Sequence, residues 1–129
     1  MLRSKVNQYA LKSLQVVIHL RLVRLIFFWC LENMRDLLPV NIISETRTLI
    51  CFYHPQPAYP VHILLVPKKD IRDLSHLDPM EDKFLSDIFS TVRTLIEELD
   101  LEKKGYRLIL NGGEYQEFPQ LHFHLVSGG

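Results

Sequence analysis

Acidic residues are missing from the first 31 positions of this chain, paired cysteines and low-complexity segments are missing throughout, and its longest apolar stretch is broken by charge. Each absence removes a class of protein. The stretch from Leu14 to Leu38 contains Arg21 and Arg24, each costing about 2.5 to 3.5 kcal/mol at the centre of a membrane span, which argues against a transmembrane helix. The two cysteines, Cys30 and Cys51, lie far apart without metal-ligand spacing, so free thiols in a reducing compartment are expected rather than a disulfide. No secretory signal is evident, and the expected location is cytoplasmic. No aromatic interleaving or basic face extends from Lys68 and Lys69, so nucleic acid is not an expected partner. With 47% hydrophobic and 23% charged residues, the chain is too apolar for disorder, and 129 residues suffice for one real core.

The charges are segregated although they balance. Arg3, Lys5, Lys12, Arg21 and Arg24 precede the first acid, Glu32, so the remainder keeps 10 basic against 15 acidic residues. Within this basic arm, Val16, Leu20, Val23, Phe27, Cys30, Met34 and Leu37 recur at alternating spacings of four and three. That is the seam of an amphipathic helix that packs on its own domain or on a second subunit. Pro39 stops it. Residues 1–37 are thus read as a helical arm and residues 38–129 as the folded domain. An organelle-targeting presequence and peripheral contact with an anionic membrane are the other readings of the arm.

Downstream of Pro39, Val40 to Ser44 and Thr48 to Tyr53 are β-rich runs around the polar Glu45-Thr46-Arg47, the pattern of a hairpin. Pro55, Pro57 and Pro60 force His54 to Pro60 into a loop, after which Val61 to Val66 resumes as a strand. Asp78-Pro79 has the form of an N-cap followed by proline at the first helical position. Phe84, Leu85, Ile88, Phe89, Val92, Leu95, Ile96 and Leu99 then mark one helical face. Lys103 and Lys104 suit the negative end of a helix and Gly105 a left-handed cap. Tyr106 to Leu110 and Leu121 to Val126 complete the strands, giving an α+β class with an antiparallel sheet.

The chemistry concentrates in Gln120-Leu121-His122-Phe123-His124-Leu125-Val126. Alternation along a strand points Gln120, His122 and His124 one way and Leu121, Phe123 and Leu125 into the core. Neutral imidazole can attack phosphorus, move a proton or bind a metal near neutral pH. This row resembles the H-x-H-x-H signature of the histidine triad (HIT) family, with Gln120 where the first histidine usually stands. Pro57 to Lys68 resembles the family's strand ending in Pro-Lys, and Gly105 to Gly113 its next strand and loop.

The resemblance implies a five-stranded antiparallel sheet with one main packed helix, assembled as a homodimer, and a metal-free site needing no cofactor. It implies a nucleotide hydrolase or transferase that cleaves a P–X bond at the α-phosphate of a purine nucleotide or conjugate. On that pattern His122 is the nucleophile that becomes a nucleotidyl-histidine, His124 meets the phosphate or leaving group, and His62 is a further histidine on the facing strand. Gln120 supplies an amide where the first imidazole would be. Asn111, Phe52, His54 and Glu117 fall in the nucleotide-binding region, with His54 where an acidic residue commonly holds the ribose and Glu117 where a serine lies beside the phosphate. The residues alone leave alternatives open. His62 at a strand start can cap the proline loop, and Asn111 before Gly112-Gly113 can be a plain turn residue. His62, His122 and His124 also have the spacing of a zinc site, and a nucleotide-binding module without turnover is the alternative function.

Overall fold

The computed structural model describes residues 41–129, and the helical arm expected over residues 1–37, with its boundary at residue 38, lies outside them. Five strands form one antiparallel sheet: β1 (Ile42–Glu45), β2 (Leu49–Tyr53), β3 (Val61–Pro67), β4 (Arg107–Leu110) and β5 (Phe123–Ser127), in the order β1-β2-β3-β5-β4. The β1–β2 turn is closed by Thr46, whose N–H donates to the Leu49 carbonyl at 2.8 Å while its hydroxyl accepts from the Thr48 and Leu49 N–H groups.

Between β3 and β4 run the helices α1 (Asp82–Glu98) and α2 (Leu101–Lys104). Phe84, Ile88, Val92 and Leu95 of α1 pack with Leu49, Cys51, Ile63, Leu65, Phe123 and Leu125 from alternate positions of the strands. At about 1.5 to 3 kcal/mol for each large side chain buried, this layer is the main hydrophobic contribution to the fold. Cys51 is a free thiol at its centre, and burial raises its pKa to about 12. Asp87, also buried, accepts from the Thr48 hydroxyl at 2.6 Å and the Thr46 hydroxyl at 3.0 Å. The carboxylate thereby ties α1 to the β1–β2 turn.

The helix differs from its sequence expectation at both ends. Asp78 does not cap it: its carboxylate accepts from the Met80 N–H at 2.9 Å, closing a turn of its own, and α1 begins only at Asp82 behind Glu81. At the far end Asp100 adopts a left-handed conformation with φ 54°, which breaks the helix and lets Leu101 enter the core. Gly105 then has φ 85° and closes α2 through its N–H to the Leu101 carbonyl, and Lys103 and Lys104 do stand in that last turn. Phe89, expected on the buried face, is 59% exposed, because it lies about 100° around the helix from Ile88.

Candidate functional site

The face of the sheet opposite α1 carries the histidines. Leu64 pairs with both Phe52 on β2 and His124 on β5, so these three share a face, and His62, two residues before Leu64, shares it as well. The rings converge. The centroids of His62 and His124 are 5.2 Å apart, those of His122 and His124 4.9 Å, and those of His54 and His62 4.4 Å. His54 reaches this cluster because its N–H bonds the His62 carbonyl at 2.8 Å, extending the β2–β3 pairing by one residue. Tyr59 packs edge-on against the His62 ring at 5.6 Å.

Hydrogen bonds to backbone groups, whose donor or acceptor character is fixed, assign the tautomers. The Ala58 N–H donates to His62 Nδ1 at 3.1 Å, so a neutral His62 carries its proton on Nε2. That N–H donates in turn to His124 Nδ1 at 2.9 Å, which leaves the His124 proton on Nε2. The Gln56 N–H donates to His54 Nδ1 at 3.0 Å, placing the His54 proton on Nε2 also. His122 is the opposite case. Its Nδ1 lies 2.7 Å from the Gln120 carbonyl, an acceptor only, so Nδ1 bears the proton and Nε2 presents a bare lone pair.

The neutral forms fit the electrostatics. Burial, and then the neighbouring His122, His62 and His54, push the His124 pKa down from 6.5 to about 4. Burial and His54 lower His62. Burial and His122 lower His54, against an opposing pull from Glu117. The cluster thus offers one nucleophilic nitrogen on His122 beside N–H donors on His124 and His54.

The remaining expected site residues fall into two groups. Phe52 is buried on the histidine face, and Glu117 is exposed and within electrostatic reach of His54. Asn111 follows β4, and the β4–β5 register carried on by one residue sets it across from His122. Gln120 departs from the row. The chain bends before β5 starts at Phe123, and Gln120 is 1% exposed. Its amide N–H is turned to the Lys69 carbonyl at 3.4 Å, and its Oε1 is buried without a partner. What Gln120 brings to the cluster is its backbone carbonyl. Tyr59 and the N–H groups of Gln56 and Ala58 were not singled out from the sequence, although prolines at 55, 57 and 60 leave this loop few N–H groups to offer. His76 is an exposed partner of Asp73, and Lys68 and Lys69 are paired with Glu45 and Glu81. Among the described residues no group of three or more His, Cys, Asp or Glu side chains is arranged to hold a metal ion, and no helix is long and apolar enough to cross a membrane.

Comparison with known proteins places this architecture. The HIT domain family matches residues 36–129. An uncharacterised HIT-like protein of Helicobacter pylori (strain ATCC 700392 / 26695) is 33% identical over 93 residues, covering 70% of this chain and 86% of its own. Among solved structures, a HIT family hydrolase from Clostridium thermocellum superposes with a TM-score of 0.70 at 33% identity, over 81% of this chain and 90% of that one. A histidine triad nucleotide-binding protein from Candida albicans does so with a TM-score of 0.67 at 27% identity, over 81% and 75%.

Proposed function

The chain belongs to the HIT domain family, and from that premise we propose that it binds a purine nucleotide and cleaves a P–X bond at its α-phosphate through a nucleotide covalently held on His122. The observation that carries this reading is the 2.7 Å bond from His122 Nδ1 to the Gln120 carbonyl. It fixes the ring and directs the unprotonated Nε2 away from the backbone. A neutral imidazole is nucleophilic without losing a proton and leaves again once phosphorylated.

In the proposed reaction His122 Nε2 forms a bond to phosphorus as the P–X bond breaks and X departs with the bonding pair. Donors on His124 and His54 stabilise charge on the nonbridging oxygens and the departing atom. Water then attacks phosphorus and loses a proton to solvent, the P–N bond breaks with its pair returning to Nε2, and the nucleoside monophosphate is released with neutral His122 restored. The hydrolase and nucleotide-binding names of the Clostridium thermocellum and Candida albicans proteins support the same class. A second reading, a binding module without turnover, draws support from Gln120, which holds no titratable group and is turned to Lys69.

His122→Asn tests both. We expect turnover to disappear while nucleotide affinity stays within about tenfold, or ~1.4 kcal/mol, and acid-quenched wild-type protein to carry a nucleotidyl adduct on His122 by mass spectrometry. Wild-type protein that binds nucleotide tightly, turns nothing over and forms no adduct would instead establish the binding module.

A further inference from the structure

We infer that Gln116 and Gln120 are positioning residues: with the main chain at Ile71 they hold the peptide that orients His122, and so set which of its ring nitrogens carries the proton. The inference rests on the reading above for the role of His122, but its geometry stands on residues outside the imidazole cluster. The peptide joining Gln120 to Leu121 is trans, so its C=O and N–H point in opposite directions within one plane. Its C=O accepts from His122 Nδ1 at 2.7 Å, and its N–H donates to the Ile71 carbonyl at 2.7 Å. Tilting that plane strains both bonds at once.

Ile71 gives this peptide a fixed anchor. Its side chain lies buried in the core with Phe84 and Leu121, and Lys69, two residues before it, is ion-paired with Glu81 in front of α1. Two glutamines tie the approach to β5 onto the same short segment. Gln120 Nε2 donates to the Lys69 carbonyl at 3.4 Å. Gln116 Nε2 donates to the Arg72 carbonyl at 2.7 Å and to the Phe118 carbonyl at 3.0 Å, and the Phe118 carbonyl also accepts from the Gln120 N–H at 2.8 Å. Lys69, Ile71 and Arg72 thus each receive a donor from residues 116–121, and the peptides on both sides of Gln120 are held.

Stability alone does not call for a glutamine at position 120. The side chain is buried, and among the described residues its Oε1 has no partner, an unmet acceptor that is destabilising and that a methionine of similar length would not create. What the amide adds over methionine is its N–H on the Lys69 carbonyl, in the very residue whose own carbonyl meets His122. The consequence is chemical. In a neutral imidazole the nitrogen that carries the proton is set by the bond its partner groups offer, and a proton on Nε2 would remove the lone pair that attacks phosphorus. Holding the Gln120 carbonyl against Nδ1 keeps His122 a nucleophile.

Imidazole nitrogen NMR on the full chain, labelled at histidine, tests this, with the His122 signals identified by their loss in His122→Asn. We expect neutral wild-type His122 to hold its proton on Nδ1, Gln120→Met to pass to a mixture with the Nε2–H form, and Gln116→Ala, at a half-buried position, to move the same way. Gln120→His, whose Nε2 stands as many bonds from Cα as the glutamine Nε2, should restore the wild-type pattern. With adenosine 5′-phosphoramidate as substrate, kcat should fall by roughly tenfold in Gln120→Met while KM stays within about threefold, a loss in the chemical step rather than in binding. A residue that served the fold alone would lower stability toward urea and leave the His122 tautomer unchanged, so a wild-type tautomer in Gln120→Met overturns the inference, as does failure of Gln120→His to restore it. If Gln120→Met does not fold, a wild-type tautomer in Gln116→Ala has the same force. A shifted tautomer, with no turnover of adenosine 5′-phosphoramidate or diadenosine tetraphosphate by the wild type, upholds the positioning and overturns the hydrolase reading instead.

Discussion

His124 is neutral because its surroundings leave a second proton nowhere to sit, and that has a price in stability at low pH. With its pKa near 4 in the fold and about 6.5 when unfolded, the unfolded chain binds more protons between those values. Stability is therefore full above pH 6.5 and falls as pH drops toward 4. The loss falls between pH 6.5 and pH 4, and urea denaturation should show the stability of His124→Gln to depend less steeply on pH across that range. Asp87 acts lower on the scale. The Thr48 hydroxyl, and further bonds from Lys83 and Thr46, hold its carboxyl below the usual range. Its stabilisation is present above the unfolded carboxyl pKa and lost as pH falls through the folded one, so the two groups mark separate parts of the acid limb.

Among the elements, α1 decides whether the sheet has a core. Ile88 is fully buried within it and Phe89, the next residue, is mostly exposed. Ile88→Ala should cost about 2 to 5 kcal/mol and Phe89→Ser within about 0.5 kcal/mol of nothing, both read from chemical denaturation; similar losses at the two positions would contradict the orientation of the helix. The 3.6-residue period made this helix legible in the sequence, but its ends were not. Asp78 could cap a helix or close a turn, and only the three-dimensional path of the chain chooses between those. The histidine row shows the same division. His122 and His124 were legible because they belong to one alternating face, whereas the bend that ends at Gln120 and the turn of its amide to the Lys69 carbonyl leave no periodic signal. Tyr59 and the N–H groups of Gln56 and Ala58 could not be read at all, since a proline-rich loop has no period to betray what it touches.

For the molecule as a whole, the sequence divides into a basic segment and a net acidic remainder. On the proposal that residues 16–37 form the helix expected from their spacing, their apolar seam would be an aggregation-prone patch if left in water. Removing residues 1–35 should accordingly lower solubility or change the oligomer, as seen by size-exclusion with light scattering. A truncated protein of unchanged stability and assembly would refute the packing role, and flotation of the full chain on anionic vesicles would point to a membrane surface instead.

The strand order bears on how such a molecule is made. β5 does not add to an edge; it enters between β3 and β4, and among the described strands β4 pairs with β5 alone. During synthesis β4 therefore leaves the ribosome with no strand beside it, and it waits until the residues that carry His122 and His124 have followed. The bond between His62 and His124 spans 62 positions of sequence, the kind of distant closure that comes late in folding. The same docking event that completes the sheet brings His122 and His124 to His54 and His62, which already meet across the β2–β3 pair, so the appearance of the proposed nucleotide binding would time the moment at which the fold closes.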